Sequence, residues 1–257
     1  MIGLMSPESP PSPSPVSDAD LARDVATEAG ELLRNIRAAY PVGKALGARG
    51  DREANTMILA RLAAARPDDF ILSEEAVDDP RRCAASRVWI VDPLDGTRDY
   101  ADGFDDWAVH IALSVDGRPA EGAVAIPMIG RTYSTALPHA MELIAHDPLR
   151  MTVSRSRQPE LAERVARRMG AVLVPMGSAG AKAMAVVDGR VDLYLHAGGQ
   201  YEWDNCAPAA VAMAAGFHVS RIDGRPLVYN CADPLLPDLL ICRPELAEAA
   251  LAAIAAG

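Results

Sequence analysis

The chain has 257 residues, half of them hydrophobic, and a formal charge of −10. That length supplies a core for one large domain or two small ones. The acidic balance argues against nucleic acid as a partner, because backbone phosphates are bound by clustered Lys and Arg, and no apolar run approaches the roughly 18 residues of a membrane span.

Residues 1–16 read as a disordered Ser/Pro tail, without the basic and apolar regions of a signal peptide. The four cysteines, Cys83, Cys206, Cys231 and Cys242, are scattered and unpaired in the sequence, so reduced thiols and a cytoplasmic location are expected. A helix starts at the N-cap candidate Ser17, with Leu21, Val25, Leu32 and Ile36 at helical spacing toward Tyr40. A second helix is expected over 52–65, with Asp51 at its start. "FILSEE" (70–75) and "RVWIVD" (87–92) read as strands that each end in carboxylates. The continuous apolar run of the latter is that of a strand covered on both faces. Residues 106–137 form a meander split at Asp116-Gly117 and Ile129-Gly130.

From about residue 149 strands and helices alternate: "MTVS", "PELAERVARRMG", "AVLVPM", "SAGAKAMAVVDG", "VDLYLHA", "DNCAPAAVAMAAG" and "DLLICR", then an Ala-rich terminal helix. The organisation expected is an α+β subdomain over 17–148 and an α/β subdomain over 149–257. Charge is uneven: residues 66–106 hold twelve Asp/Glu against five Arg, whereas 150–168 hold six Arg against two Glu.

The acids fall where strands end. Glu74 and Glu75 close one strand, Asp92 and Asp95 the next, and Asp204 lies in "YEWDNCAP" near a helix start. Gathered carboxylates repel one another and protonate unless a cation holds them. Oxygen ligands without a His or Cys cluster suit Mg²⁺, Mn²⁺ or Ca²⁺ and disfavour zinc. Pro93 and Gly96 would shape a tight turn that folds Asp95 back beside Asp92 and frees the Leu94 carbonyl. Gly96 and Thr97 then open a helix or turn whose N–H groups can receive a phosphate oxygen. Taken singly, Asp51 and Asp204 read as ordinary helix caps, the commoner use of such positions, and it is the three acid clusters together that point to a metal.

"DPLDGTRDY" (92–100) resembles the first signature of the inositol monophosphatase superfamily, and "WDNCAPAAVAMAAG" (203–216) resembles its second. "LSEE" (72–75) is similar to the Glu-containing element upstream. The resemblance implies a layered αβαβα sugar-phosphatase sandwich and Mg²⁺-dependent, Li⁺-sensitive phosphomonoester hydrolysis. It places one Mg²⁺ on Glu74, Asp92 and the Leu94 carbonyl, and a second on Asp92, Asp95 and Asp204. A weaker third would be reached by Glu74 through water. Asp51 would pair with Thr97 to orient and deprotonate the attacking water. The stretch before Asp51, "GKALGARGD" (43–51), departs from the family's Lys…Ser-Pro-Val-Thr-x-Ala-Asp.

The family spans inositol monophosphatases, fructose-1,6-bisphosphatases and phosphatases of 3′-phosphoadenosine 5′-phosphate (PAP). "VSRSR" (153–157) is similar to the Ser-Arg-Ser-His element of the PAP phosphatases, with Arg157 at the His position. "GSAGAK" (177–182) is similar to their Gly-Ser…Lys element, with one extra residue between Ser178 and Lys182. The likeness is strongest to bacterial, notably actinobacterial, CysQ-type enzymes that clear PAP in sulfate assimilation. Arg155, Arg157 and Lys182 would then serve the second phosphate. A Lys in the first turns of a helix capped by Ser178 opposes the helix dipole and is more natural facing an anion. The alternatives are inositol-1-phosphatase, fructose-1,6-bisphosphatase and a non-catalytic regulatory role, the last disfavoured by the intact acid set. The partner expected is a small phosphate ester; a homodimer is allowed.

Overall fold

The computed structural model describes residues 16–138, 144, 146–156 and 160–256. Except for Val16, the Ser/Pro tail lies outside the described residues, as does Arg157.

Two helices lead the fold, α1 (Asp18–Ala39) and α2 (Lys44–Ala65). The Ser17 hydroxyl caps α1 by accepting the Asp20 N–H at 3.1 Å. Leu21, Val25, Leu33 and Ile36 line its buried face, so Leu33, and not Leu32, completes the stripe. The second helix begins eight residues earlier than its sequence predicts, which puts Asp51 mid-helix and removes its reading as a cap. Gly47 and Gly50, which look like breakers, are where the helix backbone passes closest to its neighbours. A Cβ on Gly47 would lie 3.0 Å from Thr97 Cγ2, and one on Gly50 3.1 Å from Leu94 Cδ2.

A first sheet follows: β1 (Phe70–Ser73), β2 (Arg87–Asp95), β3 (Ala108–Val115), β4 (Arg118–Ile126) and β5 (Arg131–Ser134), adjacent in that order. β1 and β2 are parallel and the rest antiparallel. A six-residue helix, α3 (Thr97–Asp102), leaves the end of β2 through Gly96. The second sheet is formed by β6 (Leu149–Ser154), β7 (Ala171–Met176), β8 (Leu193–Ala197), β9 (His218–Ser220) and β10 (Asp238–Cys242), in the spatial order β7-β6-β8-β10-β9. β7, β6 and β8 run parallel and β10 antiparallel to both its neighbours. α4 (Glu160–Met169), α5 (Ala179–Val187), α6 (Glu202–Ala214) and α7 (Ala247–Ala255) complete the chain. β9 has only three residues, too short for the alternation that reveals a strand.

Period-two alternation assigns the layers. Trp89 and Val91 of β2 pack with α1 and α2, whereas Val88 and Ile90 pack with α5, α6 and the inner face of the second sheet. The outer face of that sheet, including Met151, Leu193 and Leu240, is covered by α4 and α7. Three cores between five layers make the αβαβα sandwich that the resemblance implies. No helix among the described residues is long and apolar enough to cross a membrane.

Candidate active site

The β2–β3 ladder carries the feature that gathers the acids. Asp92 pairs with His110 and Asp95 with Ala108, so three steps along β2 match two along β3. One residue is therefore extra, a bulge at Pro93-Leu94, where a residue without an N–H is tolerated. In a regular strand, residues three apart point to opposite faces. The bulge reverses that parity, and Asp92 and Asp95 bring carboxylate oxygens to one place, joined by Asp204 from the first turn of α6, all within 4.8 Å of one another. The pair thus comes from a bulged strand that continues through Asp95, in place of the expected tight turn. Glu74 leaves the end of β1, its N–H bonded to the Val91 carbonyl at 3.2 Å, and its carboxyl group faces the other three.

These acids differ sharply in charge. Burial, then the facing Glu74, Asp95 and Asp204, pushes Asp92 well above the ordinary carboxylate range. Withdrawal from water and the neighbouring Asp204 and Asp95 raise Glu74 to about 7, although the residue as a whole sits at the exposed rim. Asp204 rises to about 6 for the same reasons, burial first and then Asp95. Asp95 goes the other way: burial opposes it, but His110, Lys182 and Ser178 hold its pKa below the ordinary value. Its Oδ2 accepts the Ser178 hydroxyl and, at 2.7 Å, the Gly180 N–H.

His110 Nδ1 donates to the Trp203 carbonyl at 3.0 Å. Its Nε2 lies 3.2 Å from Asp95 Oδ2, too bent for a well-formed hydrogen bond, so charge holds that pair. Both ring nitrogens face oxygen atoms, an arrangement that favours the protonated ring. Burial works against this charge, and Asp95 and the carbonyl of Trp203 outweigh it.

Four carboxylates, three of them raised in pKa by one another, are a donor set that a divalent, oxygen-seeking cation fits and that protons otherwise fill. Asp92, Asp95 and Asp204 each offer it one oxygen within the 4.8 Å cluster, with Glu74 beside them, while the Leu94 carbonyl accepts the Thr97 hydroxyl. Asp204 also caps its helix, Oδ2 accepting the Tyr201 N–H at 2.7 Å. A carboxylate has two oxygens, so capping and coordination are compatible.

Across α2, Thr97 Oγ1 lies 3.2 Å from Asp51 Oδ1 and 3.0 Å from the Leu94 carbonyl. Burial, then Glu75, raises Asp51 to about 7 against the lowering effect of the Thr97 hydroxyl. Asp51 is thus brought from the middle of a helix to the head of α3. Gly96 reaches that head with φ +89°, and a Cβ there would sit 3.1 Å from the Asp106 carbonyl.

The basic residues are engaged. Lys182 is buried, and its Nζ donates to the carbonyls of Ser178 at 2.5 Å and Gly177 at 3.2 Å. Burial lowers its pKa against the pull of Asp95 and Asp99. Arg155 is paired with both Asp99 and Asp106 and lies over the Phe104 ring at 4.7 Å. A phosphate bound by Arg155 would share its guanidinium with these carboxylates. Two recesses flank the carboxylates. One, of about 400 Å³, is lined by Thr97, Asp99, Phe104, Arg155, Gly177 and Ser178. The other, of about 210 Å³, is lined by Asp95, Lys182, Tyr194, His196, Gln200 and Asp204.

His110 falls in a stretch whose sequence reads as a strand and favours core or rim packing, and no local pattern there marks Asp99 or Asp106. The signal for His110 is its register opposite Asp92, visible only once β2 and β3 are paired. Gly180 is a second sign, since a Cβ there would fall 2.2 Å from His110 Nε2.

Residues 20–256 match the family model described as inositol monophosphatase family. The chain is 50% identical over 254 residues to the 3′-phosphoadenosine 5′-phosphate phosphatase of Mycobacterium leprae, covering 93% of this chain and 94% of that protein. It is 51% identical over 239 residues to the protein of the same name from Mycobacterium tuberculosis, covering 89% and 90%. Among solved structures it resembles CysQ from Bacteroides thetaiotaomicron, with a TM-score of 0.76, 26% identity, and coverage of 88% of this chain and 97% of that one. In fold, motif and whole-length similarity alike, the chain belongs to the inositol monophosphatase family.

Proposed function

We propose that the protein is a Mg²⁺-dependent 3′(2′),5′-bisphosphate nucleotidase that hydrolyses the 3′-phosphate of PAP to give AMP and phosphate. The observation that carries the substrate is the half-identity, over nearly the whole chain, to two mycobacterial proteins named for that activity. It acts in the cytoplasm on a diffusing small molecule, within sulfate assimilation.

Glu74, Asp92, Asp95, Asp204 and the Leu94 carbonyl would hold two Mg²⁺ ions, and Glu74 would help to hold a weaker third through water. When bound, these ions draw charge from the phosphoryl oxygens and acidify water. The chain's own part is positioning and proton transfer. The N–H groups of Gly96 and Thr97 receive a phosphoryl oxygen at the head of α3. A water proton passes to Thr97 Oγ1 as the Thr97 proton moves to Asp51 Oδ1, over the observed 3.2 Å. Asp51, held at about 7, is matched to proton uptake near neutral pH. Ser178 and His110 keep Asp95 ionised from behind. Lys182, with two of its three N–H groups spent on carbonyls, offers the third to the second phosphate. Arg155 and Arg157 complete that side.

The test is phosphate release from PAP with Mg²⁺ and again in excess EDTA. The reading expects turnover in the first and none in the second; full activity in EDTA would remove the metal mechanism.

A further inference from the structure

Away from the reacting centre lies a polar cluster, buried at Arg82 and Glu202 and open to solvent at Asp78, that the proposed chemistry does not use. Arg82 has no exposed surface. Its Nε and NH2 donate to the two oxygens of Asp78 at 2.6 and 3.0 Å, and NH1 donates to Asn230 Oδ1 at 2.9 Å. Asn230 answers through Nδ2, to the carbonyls of Arg82 at 2.8 Å and Ala85 at 3.2 Å. The N–H groups of Asn230 and Cys231 then donate to the two oxygens of Glu202, at 2.7 and 2.8 Å. Glu202 is only 1% exposed and is the first residue of α6.

The place of this cluster in the chain gives it a consequence. Asp78 follows Glu74 by four residues, and Glu202 precedes Asp204 by two. The cluster therefore bolts the segment leaving β1 to the head of α6, the two elements that carry Glu74 and Asp204. Those carboxylates repel each other, and beside the bond of Glu74 N–H to Val91 and the Asp204 cap on Tyr201 this network is a further tie between their two segments. Apolar packing would hold the two segments at less desolvation cost, but it is weakly directional, whereas a fully satisfied polar network fixes one geometry. Asn230 adopts φ +60°, a left-handed conformation that its side-chain bonds retain.

We propose that Arg82, Asn230 and Glu202 are positioning residues that set the separation of Glu74 from Asp204, and so the affinity of the site for Mg²⁺. This rests on the metal-binding reading given above. Residues that orient ligands from behind typically change metal affinity by about 10–100-fold.

The test is calorimetric titration of Mg²⁺ into the full chain as wild type, Asn230→Gly and Glu202→Gln, with the Mg²⁺-induced rise in Tm as a second readout. Asn230→Gly deletes the side-chain bonds while leaving the left-handed backbone accessible, and Glu202→Gln preserves shape. The expected result is a Kd for Mg²⁺ weakened about tenfold or more in both variants, with a smaller Tm rise. Variants that lose thermal stability yet bind Mg²⁺ with the wild-type Kd would overturn the assignment, leaving the cluster a fold element only. A wild-type protein that takes up no Mg²⁺ would instead overturn the metal site itself.

Discussion

Asp92 is buried against Glu74, Asp95 and Asp204, so its carboxyl group bears both desolvation and repulsion. An amide of the same shape avoids both and still accepts the Leu94 N–H, now made at 3.0 Å to Oδ1. Asp92→Asn should therefore raise Tm in EDTA while lowering kcat for PAP at least a hundredfold, about 2.7 kcal/mol. Thermal melts with and without Mg²⁺, beside a phosphate-release assay, check both halves. Proton linkage gives a second expectation. Glu74 at about 7 and Asp204 at about 6 must lose protons to hold a cation. Mg²⁺ affinity should thus rise as pH increases from roughly 6 to 8, with protons released on binding. Calorimetry in buffers of different ionisation enthalpy reads that release directly; a pH-independent Kd would contradict it.

At the level of elements, α2 matters for where it lets α3 approach. Gly47→Ala gains roughly 1 kcal/mol of helix propensity, but its Cβ meets Thr97 Cγ2 at 3.0 Å and Ala101 Cβ at 3.4 Å. The expected outcome is a Tm within a few degrees of wild type and a kcat/KM reduced about tenfold, because Thr97 is pushed from Asp51. This helix also shows where sequence reading stops. Its last part is legible from Met57, Ile58 and Leu62, but its first turns contain Gly47 and Gly50, which local propensity penalises and close packing requires. The bulge in β2 is similarly hidden: Pro93 and Gly96 read as a turn, and only pairing with β3 shows that the strand continues. The acid sets themselves are legible because each lies within a few residues of contiguous sequence.

Across the whole molecule, α5 and α6 form a layer shared by both sheets, and β4 approaches α6 closely at Gly122. A Cβ there would meet Ala210 Cβ at 3.0 Å, Ala207 Cα at 3.2 Å and the Ala207 carbonyl at 3.3 Å. Backbone atoms retreat poorly, so Gly122→Val should cost about 1–3 kcal/mol and lower Tm by several degrees, roughly 2–4 °C per kcal/mol for a chain this size. What the sequence conceals at this scale is pairing between distant positions. Arg82 meets Asn230 across 148 positions and Arg155 meets Asp99 across 56, and no local pattern marks either.

The proposed function requires the carboxylate site to serve PAP in preference to other phosphate monoesters. The most direct measurement is phosphate release from PAP and from inositol-1-phosphate, at matched low concentrations with Mg²⁺ present. A PAP preference of about a hundredfold or more in kcat/KM is expected, a difference of about 2.7 kcal/mol. Equal turnover, or a preference for inositol-1-phosphate, would contradict it.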